Sequence, residues 1–94
     1  MLSAAVACDR PPEDVQLRAV PLPGLDGLPE SVRRQLTEQH AYLQSLVAAG
    51  TERPSRLGVA YGMMGKLYLA YGLADAAEPA LQNAADLRPE DRVW

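Results

Sequence analysis

Cys8 and His40 are the only cysteine and the only histidine of this 94-residue chain, so thiol or imidazole chemistry would have to run through them. A thiol attacks as its thiolate, which needs a base or an electropositive neighbour. An imidazole exchanges its proton near neutral pH and so serves as a general acid or base. Neither residue has a recognisable partner: no Ser or Cys nucleophile sits in a known arrangement with His40, and Glu38 points to a different helical face. His40 is expected to be a half-exposed helical histidine, and no catalytic residue is assigned. One Cys and one His also fall short of the roughly four N or S ligands, or three plus water, of a zinc site, and they cannot build a disulfide framework. No metal site is expected. Gly58, Gly62 and Gly65 are spaced somewhat like a phosphate-cradling loop, but no strand precedes them and both the Gly-Lys-Ser/Thr ending and the Gly-x-Gly start are missing. No nucleotide or other cofactor is expected.

Charge and composition narrow the classes further. Nine Lys and Arg against twelve Asp and Glu give a formal net charge of -3, with no run of cations. Nucleic acid is therefore excluded as a partner, because its phosphates demand clustered cations. The chain is 48% hydrophobic and 22% charged, a globular composition for one small domain, yet it has no Phe and much of its apolar share is alanine. That rules out a deep core and leaves an interaction module whose partner is a protein or peptide.

Residues 1–8 are small and apolar up to Cys8 and are followed at once by Asp9-Arg10-Pro11-Pro12. Ala5-Val6-Ala7-Cys8 resembles the lipobox of bacterial lipoproteins, with Ala5 in place of the usual Leu. That resemblance implies lipidation of Cys8 and a lipid-anchored, periplasm-facing place in the bacterial cell envelope. A secretory signal also needs a basic start and an apolar stretch of about 7–15 residues, and no Lys or Arg precedes Cys8. Two readings stand: a truncated lipoprotein signal, or an apolar terminus with an ordinary thiol on a cytoplasmic protein. Residues 9–28, with Pro11, Pro12, Pro21 and Pro23, favour extended chain over helix. They read as a linker or as a strap lying along a helical surface through Val15, Leu17, Val20, Leu22 and Leu25.

From Pro29 the apolar residues Val32, Leu36, Leu43, Leu46 and Val47 recur at helical spacing, which predicts a packing helix that caps the module over 29–50. Pro29 suits its first turn and Gly50 its end. Thr51 to Ser55 is a polar connector, and 57–74 is an apolar run interrupted only by Lys66. The run approaches the length of a membrane span, and Gly58-x-x-x-Gly62 is similar to a transmembrane packing motif. Lys66 at its middle would cost about 2.5–3.5 kcal/mol, so a buried helix is the better reading.

Within 54–91, the 34 residues from Gly58 to Asp91 resemble one tetratricopeptide repeat. Tyr61, Met64, Gly65 and Tyr68 stand at the first-helix spacing W-x-x-L-G-x-x-Y. Gly72 stands at the turn, Ala77, Leu81 and Ala84 match the second helix, and Pro89 falls where the repeat ends. The resemblance implies an all-α antiparallel helix hairpin of a solenoid, with a further repeat beginning at 92–94. Further repeats or a second copy would then cover the C-terminal face. It also implies packing roles for Tyr61, Met63, Met64, Tyr68 and Tyr71. Pro79, tolerable only near the first turn, and Glu78 and Ala85, where aliphatic residues are common, depart from the pattern. By the same resemblance Val59, Gly62, Lys66, Leu69 and Ala70 line the concave face that grips a partner peptide or protein, or else meet further repeats or the N-terminal strap. Only Lys66 would serve an acidic-peptide clamp. The implied function is a non-catalytic protein-binding scaffold; the alternative is a docking or regulatory segment of a larger enzyme.

Overall fold

The computed structural model describes residues 16–87. It holds α1 (Glu30–Ala49), α2 (Pro54–Ala70) and α3 (Ala74–Leu87), and no strand occurs among the described residues. The protein is all-α. The signal-like segment 1–8, Pro89 and residues 92–94 lie outside the described residues.

Each helix end follows from a residue that cannot continue or need not begin the hydrogen-bond ladder. Pro29 caps α1 one position before its first turn, in extended backbone, and its carbonyl accepts from the Arg33 N–H at 2.9 Å. Gly50 closes α1 with its N–H on the Leu46 carbonyl. Pro54 opens α2 in the first turn, where its absent N–H is not missed. Gly72, at φ 76, ends the α2 segment: its N–H bonds to the Leu69 carbonyl at 3.0 Å, and the Leu73 N–H reaches back to Tyr68 at 2.9 Å. This pair of bonds is the Schellman arrangement, which needs a left-handed residue and satisfies otherwise orphaned carbonyls. The chain reverses there within three residues. Pro79 is the sixth residue of α3, beyond the first turn, yet the helix runs on to Leu87. The carbonyl it leaves without a partner is that of Asp75 in the first turn, where the ladder has only begun.

α2 and α3 form an antiparallel hairpin. Gly65 faces Ala77 and Leu81, while Tyr61, earlier in α2, neighbours Asn83, later in α3. The α3 side of the contact is built of Ala76, Ala77, Ala80 and Ala84, all buried. Small residues bring the two backbones close. Leu36 and Leu43, two turns apart on α1, are fully buried and pack with Met64 and Tyr68 in one core. Val47, on the same side of α1 as Leu36 and Leu43, is exposed instead, because it stands in the last turn of the helix, beyond the last buried residue, Leu43. Residues 16–25 reach this core without helix or strand, and the chain turns at 26–28 with the Leu28 N–H on the Leu25 carbonyl.

Candidate functional site

The most specific polar arrangement in the molecule holds extended backbone. Asn83 sits on the buried side of α3 with no solvent exposure. Its Oδ1 accepts from the Arg18 N–H at 2.9 Å and its Nδ2 donates to the Arg18 carbonyl at 2.9 Å. One carboxamide thus bonds both backbone groups of a single residue, as a neighbouring β-strand would. Two residues on, the Val20 carbonyl accepts from His40 Nε2 of α1 at 2.8 Å. The Pro21 carbonyl accepts from the Tyr68 hydroxyl of α2 at 2.6 Å. Each of the three helices therefore contributes one side chain to the backbone of the same four-residue segment.

Since a carbonyl only accepts, His40 Nε2 carries the proton. That nitrogen therefore cannot accept from the Gln44 amide nitrogen, which lies 3.3 Å away. Burial raises the Tyr68 phenol above its ordinary pKa. Burial raises Tyr61 as well, partly offset by its hydrogen bond with Asn83. Tyr68 is thus a neutral donor across the ordinary pH range, which suits a carbonyl acceptor. Two side chains of the strap are read. Val20 is 5% exposed within the core, and the Arg18 guanidinium donates to Asp86 Oδ2 at 2.8 Å and to Asn83 Oδ1 at 3.3 Å. The Arg18–Asp86 pair is exposed by about two-fifths on each side, so it adds direction more than stability.

A second surface lies half a helical turn away on α2, opposite Tyr68. Val59, Met63, Lys66 and Ala70 fall at i, i+4, i+7 and i+11 and are all exposed, with Leu69 exposed beside them. Of the positions expected on the concave face, Gly62 alone is buried; with no side chain it presents only backbone, and the neighbouring helix surface covers that. Met63, expected in the packing, is instead 55% exposed and shares a cleft of about 490 Å³ with Val59 and, from α1, Tyr42 and Leu46. The Glu52–Arg56 ion pair stands at its rim, with N···O 3.5 Å. Sequence reasoning missed Tyr42, which stands off the apolar stripe of α1. The i+4 spacing of Met63 from Val59 was the available signal. The strap does not cover this surface; it lies on the Tyr68 and Asn83 side.

The residues matched to repeat packing come together. Tyr61, Met64, Gly65, Tyr68, Ala77 and Ala84 are buried, Leu81 is half-buried over Gly65, and Gly72 makes the turn. Cys8 and Pro89 lie outside the described residues. Among the described residues no three His, Cys, Asp or Glu side chains are grouped to hold a metal ion, and no helix is long and apolar enough to cross a membrane. No protein family, curated protein or solved structure matches the chain.

Proposed function

We propose that the protein is a partner-binding helical module of tetratricopeptide type, which acts by presenting a surface and not by catalysis. The observation that carries this reading is the exposed apolar row of α2, which starts at Val59 and Met63 beside the Tyr42 cleft and passes Lys66 to Leu69, the residue that lines a separate groove with Ala77 and Leu81 of α3. Met63, Tyr42 and Leu69 are each at least half exposed, and clustered apolar exposure of this kind marks interaction sites on small proteins. The hairpin supports the family reading because the residues at repeat positions are those that bury, and Gly65 leaves no room for a side chain against Leu81 of α3. The partner is a protein or peptide with an apolar stretch to set against this row.

The test is photo-crosslinking in cells from a benzophenone side chain placed at Met63, at Leu69 or at Glu38, an exposed position on α1. Discrete adducts to one protein from Met63 and Leu69, absent from Glu38 and lost with Val59→Asp, are expected. Equal labelling from all three positions would refute the proposed face.

A further inference from the structure

We infer that the strap is a clasp that holds α1 against the α2–α3 hairpin, so that its release lets α1 move about the 50–53 connector and reshapes the Tyr42–Met63 cleft on the other side of the molecule. The bonds to the strap are spread across the seam between these two parts. The hairpin grips it at both ends, at residue 18 through Asn83 of α3 and at residue 21 through Tyr68 of α2. Between these, α1 reaches it at residue 20 through His40. The Val20 side chain joins the core in which Leu36 and Leu43 of α1 pack with Met64 and Tyr68 of α2. One four-residue segment therefore fastens α1 to both helices of the hairpin.

Without the strap α1 has little to hold it. Of its 20 residues only Leu36 and Leu43 are buried, whereas the shorter α2 buries seven and α3 six. α1 also meets α2 far more sparsely than α3 does. The Tyr71 hydroxyl, just past the end of α2, adds an exposed hydrogen bond to Gln35 at 3.1 Å. An element with so few buried contacts opens at lower free energy than a packed hairpin. The connector suits a hinge, being a few residues between two helix ends and starting with Gly50 in left-handed backbone at φ 68. His40 and Tyr42 stand on opposed sides of α1, as Tyr68 and Val59 do on α2. The clasp thus closes one side of the α1–α2 seam while the cleft opens on the other, with Tyr42 and Leu46 as one wall and Val59 and Met63 as the other. Movement of α1 displaces the first wall and leaves the second in place. By linkage, a partner bridging both walls favours the clasped state as strongly as the clasp favours its binding. That coupling rests on the proposed binding face; the movement of α1 does not.

Nitroxide labels on introduced cysteines read the movement in the full-length chain by double electron–electron resonance, with Cys8→Ser removing the native thiol. One pair, Glu38→Cys and Gln82→Cys, spans α1 and α3; the other, Met63→Cys and Gln82→Cys, lies within the hairpin, and all three positions are exposed. Val20→Asp is the release variant, because a carboxylate is costly to bury in an apolar core. It is expected to shift and broaden the distances of the first pair and to leave those of the second as in wild type. Should Val20→Asp lose helical circular dichroism, His40→Ala combined with Tyr68→Phe replaces it, removing two strap bonds with the same expected outcome. Unchanged distances for the first pair in a folded release variant overturn the inference, because α1 is then held by its own leucines. Equal broadening of both pairs overturns it as well, since the strap then holds the hairpin together and not α1. These distances are read with no partner present, so a failure of the binding face appears only in the crosslinking result.

Discussion

Gly65→Ala tests the tight contact between α2 and Leu81 of α3, because two opposed effects of similar size meet there. A Cβ at this position would stand 2.5 Å from Leu81 Cδ2, 2.6 Å from Leu81 Cγ and 3.4 Å from the Ala77 carbonyl oxygen. Carbon atoms pack best at about 3.5–4.0 Å, so roughly an ångström of overlap must be relieved, and the conflict with Cγ means that turning the end of the leucine is not enough. Overfilling a packed contact costs about 1–3 kcal/mol. Against this, Ala in a helix interior is favoured over Gly by about 1 kcal/mol. The net expectation is a loss of about 1 kcal/mol, or about 4–8 °C in Tm for a domain of this size, read by circular dichroism during thermal unfolding. The decisive comparison is made in a Leu81→Ala background. With the obstructing side chain gone, the same Gly65→Ala change should stabilise by up to about 1 kcal/mol, which gives a coupling of about 1–3 kcal/mol between the two sites. If Gly65→Ala raises Tm equally in both backgrounds, the close approach does not exist and the packing account of the hairpin fails.

Asn83→Ala should cost about 1–3 kcal/mol and speed hydrogen exchange at the Arg18 amide, because both backbone groups of Arg18 lose their partner. Asp86→Ala, removing only an exposed ion pair, should cost less than about 1 kcal/mol. Tyr68→Phe deletes one hydrogen bond to the Pro21 carbonyl and should lose about 1 kcal/mol in denaturant titration. The raised pKa values of Tyr68 and Tyr61 mean that the folded state keeps protons the unfolded state has released. Stability is therefore level below about pH 10 and falls as pH rises beyond it; a shallower fall in Tyr68→Phe is the check. Gly72→Ala, at φ 76, should cost about 1–2 kcal/mol by forcing a Cβ into left-handed backbone, again measured by thermal unfolding.

What was legible in the sequence is what local chemistry controls. Pro29, Gly50, Pro54 and Gly72 mark helix ends because their constraints act on their own backbone, and each helix begins or stops within a residue or two of them. The buried positions Leu36 and Leu43 follow from helical periodicity, and Met64 and Tyr68 from the resemblance to a repeat's first helix. Periodicity places Val47, and the repeat resemblance places Met63 and Gly62, and neither signal reports where a packed face ends. Val47 lies on the buried side of α1 but in its last turn, beyond Leu43, Met63 lies just past the buried arc of α2, and Gly62 falls inside the packing. Asn83 carried no signal at all. An asparagine among alanines reads as a surface residue, and its role becomes visible only when a segment 65 positions earlier is laid against it. The strap itself could be foreseen from its apolar residues among prolines, but not the side of the hairpin it would take.

The strap's anchors are ordered along the chain, and synthesis runs in that same order. Its partners arrive 20 residues later at His40, 47 later at Tyr68 and 65 later at Asn83. The helices, joined by short connections, can form from neighbouring residues as they emerge. The N-terminal segment, made first, waits for the last helix before its final bonds close. Ribosome-bound chains ending before Asn83 would leave this segment free, whereas chains with α3 in place hold its backbone by hydrogen bonds and keep Val20 in the core. Docking of the strap is thus a chemical record that translation has passed α3.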